Sequence, residues 1–299
     1  MSSLTLSQNK NTIFMKKKSF QRMDIRELLL LPKWLTYVIY PFIWIINRWL
    51  LVSNVTNNII ITAEKKGLKN CDFMAYASDY FAFNVHIKGS QNMPQKGAAI
   101  LVANHPGGGD ICAIFKALHV LGRTDIKILV NPLVYFAPIE DMVIPIYKNN
   151  ILQKKQMLQG IDKAFMSGNI FPIFPAGQDS RMIDKKIQDT VWKKTFITHA
   201  IRYNVPIIPC HISGSNSSFF YAIASVRKFL GIKFNIEQFF LIRELYKAQH
   251  SNITVTIGKS ICPDSLHLSD DPQSITRVVQ KIRDHVYTLA SDPNKKFVH

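Results

Sequence analysis

His105 and Asp110 stand in the segment Val102-Ala-Asn-His-Pro-Gly-Gly-Gly-Asp-Ile111, with four residues between them, three of them glycine. An imidazole with a carboxylate partner is the simplest device for removing a proton near neutral pH. The glycine-rich link lets the chain fold back so that the carboxylate can meet the ring. The residue types alone leave a second reading open, in which Asp110 is a helix N-cap and His105 a turn residue. Either reading needs rigid flanks. Ala98-Ala-Ile-Leu-Val-Ala103 predicts a short buried strand before the turn, and Ile111 to Leu118 a helix after it. Loops held by such elements are where catalytic groups concentrate.

The rest of the chain repeats this alternation. Phe83 to Lys88 alternates like a strand, which makes His86 a strand side chain, and Ile126 to Val130 predicts a second buried strand. A helix from about Ile151 to Met166 stops at Gly168, and Ile170 to Phe174 is strand-like before a Pro175-Ala-Gly turn. Trp192 to Tyr203 predicts a helix, and Val205 to Ile212 a strand. Helices follow at about 217–230 and 235–249, then a strand at 253–257 and a closing amphipathic helix at 274–289. Strands alternating with helices predict an α/β layered fold, with a mostly parallel central sheet flanked by helices.

At 299 residues the chain can bury a substantial core. The formal charge of +17 calls for an anionic partner, which nucleic acid, an anionic bilayer or an acidic carrier protein would satisfy. The basic residues are dispersed, and no zinc-finger spacing or RNA-binding aromatic signature accompanies them, so membrane is expected ahead of nucleic acid. Cys71, Cys112, Cys210 and Cys262 lie far apart without a CxxC pair, which suits a reducing compartment and no disulfide framework. Cys112 reads as a small packed hydrophobe on an apolar helix.

Residues 1–23 are expected to be a mobile basic N-terminus, since no apolar core follows Lys16-Lys-Lys18 as in an export signal. Residues 24–80 are expected to be a membrane-associating segment of amphipathic helices. The stretch from Leu28 to Val52 is strongly apolar but interrupted by Lys33, Pro41 and Arg48. Trp34, Tyr37, Tyr40, Trp44 and Trp49 suit the water–lipid boundary, so an interfacial helix pair is expected rather than a span. Packing on the core would use the same aromatics. Residues 81–299 form the expected catalytic domain.

Four blocks in order carry a family resemblance. Asn104-His105-Pro106-Gly107-Gly108-Gly109-Asp110 resembles the His-four-residues-Asp block of the glycerolipid and lysophospholipid acyltransferases. Pro172-Ile-Phe-Pro-Ala-Gly177, then Ser180-Arg181, resembles their Phe-Pro-Glu-Gly block, and Val205-Pro-Ile-Ile-Pro209 their Val-Pro-x-x-Pro block. Asn131 to Tyr147 falls where those enzymes have an acceptor-binding block. Ala176 in place of glutamate, Trp192-Lys-Lys-Thr-Phe196 and Ser213 to Tyr221 are similar to the haemolysin-like bacterial branch. The resemblance covers roughly residues 80 to 262.

The resemblance implies O-acyl transfer from an acyl carrier protein or coenzyme A thioester to a lyso-lipid, with no metal or other cofactor. His105 would be the base and Asp110 would orient it, as in the orienting acid of a protease triad. Gly107, Gly108, Gly109, Pro175, Ala176, Gly177 and Arg181 would line the substrate site. Backbone N–H groups of residues 107–109 or 176–178 are the candidate oxyanion donors, and the glycines could equally serve only the turn. Asp179 would repel a phosphate, which favours a lyso-amino-acid lipid such as a lyso-ornithine or lyso-glycine lipid over lysophosphatidic acid. Anionic bilayer lipids and the carrier protein are the implied partners, at the cytoplasmic side of a bacterial inner membrane. An acyl-ester hydrolase using the same dyad, and a catalytically silent lipid-binding scaffold, are the rival readings. His211 reads as packed or site-lining, His199 as part of a solvated basic face, and Ser213 to Ser218 offers no GxSxG elbow.

Overall fold

The computed structural model describes residues 52–130, 137–147, 150–232, 235–266, 268–269, 271 and 273–298. The expected mobile N-terminus and the apolar stretch from 28 to 51 lie outside the described residues, as do residues 131–136 at the start of the acceptor-block match. Two helices come first, α1 (Val52–Lys65) and α2 (Asn70–Tyr80). Then follow β1 (Asn84–Lys88), β2 (Ala99–Ala103), α3 (Asp110–Val120), β3 (Ile128–Val130), β4 (Val143–Pro145) and α4 (Ile151–Met166). The remainder is β5 (Ile170–Ile173), β6 (Arg181–Ile183), β7 (Lys186–Gln188), α5 (Thr195–Tyr203), β8 (Ile207–Ile212), α6 (Ser218–Phe229), α7 (Leu241–Lys247), β9 (Asn252–Ile257) and α8 (Ser274–Thr288).

A five-stranded sheet in the order β1-β9-β8-β2-β5 forms the middle layer. All its pairings are parallel except β8 with β9, so the α/β layered fold with a mostly parallel sheet is the observed architecture. Every residue of β2 is buried, as expected for a strand covered on both faces. Its side chains alternate: Ala99, Leu101 and Ala103 enter one core with α1, α2 and α3. Ile100 and Val102 enter the other with α4, α5 and α8. Helices α1 and α2 thus share a core with the sheet through Ile59, Ala63, Cys71 and Phe73. Among the described residues no helix is long and apolar enough to cross a membrane.

The structure departs from the expected elements at three places. Ile128 to Val130 is not a central strand; it pairs with β4 in a separate two-stranded sheet and is only half-buried. The region expected as one helix over 235–249 begins as a tight turn at Ile236–Phe240 and becomes α-helical only at Leu241. The β6–β7 hairpin was not expected. Its two-residue turn, Asp184-Lys185, has φ of 49° and 62°, the left-handed pair that such hairpins require. Lysine there gives no glycine signal to read in the sequence.

β2, β5 and β8 run parallel and adjacent, so their C-terminal ends open at one edge of the sheet. That edge is where ligands enter open α/β sheets. The loops after these three strands carry His105, Phe174 to Asp179, and Ser213 to Ser217.

Candidate active site

The turn after β2 is built by its glycines. Gly107, Gly108 and Gly109 all have positive φ (83°, 60° and 100°). A Cβ on Gly107 would lie 2.2 Å from the Asn216 side chain, and one on Gly108 would lie 2.5 Å from the Ser215 carbonyl oxygen. On Gly109 it would strike the Phe83 ring at 2.5 Å. The glycines therefore serve both the turn and the close approach of the loop after β8.

This turn brings Asp110 Oδ2 to 2.7 Å from His105 Nδ1. A carboxylate only accepts, so Nδ1 carries the hydrogen and Nε2 is the nitrogen free to exchange a proton. Asp110 is the first residue of α3, after the N-cap Gly109, and it also accepts N–H bonds from Gly107 and Ile111, each at 2.7 Å. Asp110 is therefore not the N-cap that the second reading made it: Gly109 holds that position, and the Asp110 carboxylate binds the ring together with these two amides. Burial alone would raise the Asp110 pKa, but His105 and the two amides hold it below the usual carboxylate value.

The Phe174 ring stacks on His105 with 4.3 Å between centroids. Asp189, 1% exposed, is the hub beneath. It accepts the His105 backbone N–H (3.1 Å), the Ser180 hydroxyl (2.6 Å) and the Trp192 indole N–H (2.8 Å). Its own N–H donates to the Tyr287 hydroxyl oxygen, and Ser180 N–H donates to the His105 carbonyl. Four segments are tied to the backbone of the base in this way. Asn104 exchanges side-chain bonds with the backbone of Ile212, fixing the neighbouring strand end.

On the far side of the ring, Asp179 Oδ1 lies 3.7 Å from His105 Nε2. Asn216 donates to the other oxygen, Oδ2, at 2.8 Å, and accepts the Gly108 N–H at 2.9 Å. His105 is therefore flanked by two buried carboxylates, one in contact and one held back. Burial pushes the ring toward its neutral form, but Asp110, Asp179 and Asp189 overcome it and raise the pKa to about 9. Burial, together with the charge of Asp110, raises Asp179 above the usual carboxylate value against the opposing pull of His105 and Asn216.

The other expected site residues fall differently. Ala176 is 5% exposed and packs into the core with Trp192 and Phe196, so its methyl does not face the ring. Pro175 is buried, its carbonyl accepting from Lys193 N–H, and Gly177 lies exposed beneath the Lys193 ammonium. Arg181 is not an exposed loop residue; its guanidinium donates to Glu237 (2.7 Å) and to the carbonyls of Asp179 and Ser180. Of the candidate oxyanion donors, Gly107, Gly108 and Gly177 already give their N–H groups to Asp110, Asn216 and the Phe174 carbonyl.

Nothing in the sequence singles out Asp189 and Glu237, and Asn216 stands there only within the Ser213–Tyr221 block, because their roles arise only from distant segments meeting. Asp179 was noted there for its charge alone. His199 is not on a solvated face: it is half-buried beside Phe165 and Tyr203, and burial and Arg202 lower its pKa. Cys112 is packed as expected, with burial and then Asp110 pushing the thiol up to about 12. Among the described residues no group of three His, Cys, Asp or Glu is placed to hold a metal ion.

Similarity to known proteins fits this geometry. The model of an acyltransferase family matches residues 45–293. The lyso-glycine lipid O-acyltransferase of Phocaeicola vulgatus is 32% identical over 94% of this chain and 99% of its own. That of Bacteroides thetaiotaomicron is 36% identical over 76% of this chain and 82% of its own. A crystal structure of the 1-acyl-sn-glycerophosphate acyltransferase PlsC from Thermotoga maritima is similar at 18% identity, with a TM-score of 0.46 over 91% of this chain and 99% of that one. The chain belongs to the acyltransferase family, and it is an enzyme of acyl transfer.

Proposed function

We propose that this enzyme moves a fatty acyl group from a carrier-protein or coenzyme A thioester onto the hydroxyl of a lyso-lipid, most closely a lyso-glycine lipid. The observation that carries this is the 2.7 Å contact between His105 Nδ1 and Asp110 Oδ2, which leaves Nε2 as the proton acceptor at a sheet edge open to ligands. Nε2 takes the proton of the acceptor hydroxyl as its oxygen attacks the thioester carbonyl. The tetrahedral intermediate collapses, the C–S bond breaks, and His105 returns the proton to the leaving thiolate. Asp110 holds the ring and stabilises the imidazolium formed between the two steps. Direct transfer of this kind calls for no cofactor, and much of its acceleration comes from orientation. The Gly109, Ala176 and Gln178 amides remain the candidate oxyanion donors, and Pro175 and Gly177 shape that wall of the site.

The thioester donors share a phosphate-bearing arm, and the Lys193 ammonium beside Gly177 is the cation we assign to it. The reaction is assigned to the surface of an anionic bilayer, on the cytoplasmic side of the inner membrane. Besides the apolar N-terminal segment, the end of α6 supports this: Phe229 is 90% exposed, with Val226, Leu230 and Ile232 exposed around it and Lys228 between them. A bare apolar tip edged by lysine suits an anionic lipid surface.

The test is acyl transfer by the purified enzyme from each thioester to detergent-dispersed lyso-lipids, with product identified by mass. The expected result is an O-acylated lipid that disappears with His105→Ala; free fatty acid without acylated lipid would instead mean hydrolysis. Phe229→Asp is expected to weaken sedimentation with phosphatidylglycerol vesicles while detergent-phase transfer is kept.

A further inference from the structure

The gap between His105 Nε2 and Asp179 is a built feature of the site. Asp179 is 8% exposed, and its Oδ2 is fixed by Asn216, itself 5% exposed and bound to the turn amide of Gly108. Its Oδ1 is aimed at the nitrogen that must take the acceptor's proton, yet at 3.7 Å it stops short of an ordinary hydrogen bond. A carboxylate so placed cannot be the orienting acid, because Asp110 already holds the other ring nitrogen. A hydroxyl that donates to Nε2 would therefore lie beside Asp179. An oxygen acceptor in that position has a defined chemical preference: it takes an N–H and repels an anionic oxygen.

We propose that Asp179 selects the acceptor, accepting an N–H from an amide or ammonium group close to the reacting hydroxyl and excluding acceptors with a phosphate there. This rests on the acyl-transfer reading above and names the acceptor class for it. The hydroxyl donates to His105 Nε2 while the neighbouring N–H donates to Asp179 Oδ1, so two bonds fix one small segment of the lipid. A hydroxy-amide satisfies both. The corresponding hydroxy-ester leaves the Asp179 oxygen unpaired, and sites built to bond an N–H reject the analogue lacking it. A phosphate at the same place faces a buried negative charge. The N–H also weakens the hold of Asp179 on protonated His105, so binding of the right acceptor favours the neutral ring that the reaction uses. Arg181 does not offset this selection for a phosphate, since its guanidinium is already committed to Glu237 and to the Asp179 and Ser180 carbonyls.

The test compares three acceptors with one acyl thioester in detergent: a long-chain 3-hydroxyacyl amide of glycine, its matched ester with oxygen in place of N–H, and lysophosphatidic acid. The wild-type enzyme is expected to favour the amide over the ester by about tenfold or more in kcat/KM, the range of a hydrogen bond to a charged group. Lysophosphatidic acid is expected to be the poorest acceptor. Asp179→Asn and Asp179→Ala, checked for folding by circular dichroism, should bring the amide-to-ester ratio close to one and narrow the gap to the phosphate. An unchanged ratio in both folded variants overturns the proposal. So does equal loss of transfer to all three acceptors, which would make Asp179 part of the chemistry and not of selection. If the wild type acylates none of the three, the acyl-transfer reading itself fails, a result distinct from either of these.

Discussion

Two buried three-member charge clusters lie close together in this enzyme, and they are built in opposite senses. In one, Glu237 is fully buried between Arg181 and Arg227, at 2.7 and 2.8 Å. In the other, His105 is flanked by Asp110 at 2.7 Å and Asp179 at 3.7 Å. The glutamate cluster is closed. Its bonds are short, and it clamps the start of β6 to the end of α6. The histidine cluster is left open on one side, at the nitrogen that can gain and lose a proton. The same ingredients give a rivet when every bond is made. On the proposed function, they give a reactive site when one bond is withheld for the substrate.

The largest contrast should come from removing the central residue of each. His105→Ala is expected to lower transfer by about 10²–10⁴-fold, the usual worth of a positioned base, with the melting temperature changed little above pH 9, where the charge of His105 no longer contributes to stability. Glu237→Ala should do the reverse in kind, costing about 3–5 kcal/mol of stability by stranding two arginines, seen as a lowered denaturant midpoint. A His105 variant that retains wild-type turnover would end the distinction.

Next in size is Gly108→Ala, whose added methyl would meet the Ser215 carbonyl at 2.5 Å in a left-handed backbone. The turn must shift, so activity should fall by about tenfold or more, since small misplacements of reacting groups are costly. Gly122→Ala is a control for positive φ, because nothing lies within 4 Å of its Cβ position. Equal losses at the two glycines would show that backbone strain alone, and not the contact with the β8 loop, is what matters.

The smallest effects are in pH dependence. With the His105 pKa near 9, kcat/KM of the free enzyme should rise with pH along an acid limb placed well above the ordinary imidazole value of 6.5. Asp179→Asn removes one of the charges that favour the imidazolium, so the limb should move to lower pH. The sign for stability follows from the same shift. A folded-state pKa raised from 6.5 to about 9 means the contribution of protonated His105 is complete below 6.5 and is lost as pH rises through about 9. The stability difference between wild type and His105→Gln should therefore shrink over that window in melts at stepped pH. An acid limb at 6.5 in the wild type would show that the two carboxylates do not set the basicity of the ring.

Much of this enzyme could be read along the chain because its central device is local. The strand, the three glycines, the dyad and the helix occupy residues 98–118, and each part is a response to near neighbours: apolar alternation, positive φ, and a carboxylate one turn from the ring. The glycine stop of α4 was legible for the same reason, a backbone group acting on its own turn. The N-terminal membrane segment is an expectation from composition alone, and residues 1–51 lie outside the described residues.

What the sequence determined by itself, then, was the alternating layered fold and a histidine–aspartate pair on a glycine turn. Tertiary structure alone decided the antiparallel joint between β8 and β9, the pairing of β3 with β4 away from the sheet, and everything that approaches His105 from elsewhere. Asn216 meets Gly108 across 108 residues, and Asp189 meets the His105 amide across 84. Such contacts have no local signature, since a buried polar group is satisfied by whichever strand end the sheet order brings beside it. The charge of Asp179 could be read from the sequence. That it stands 3.7 Å from His105 Nε2 depends on β2, β5 and β8 ending side by side.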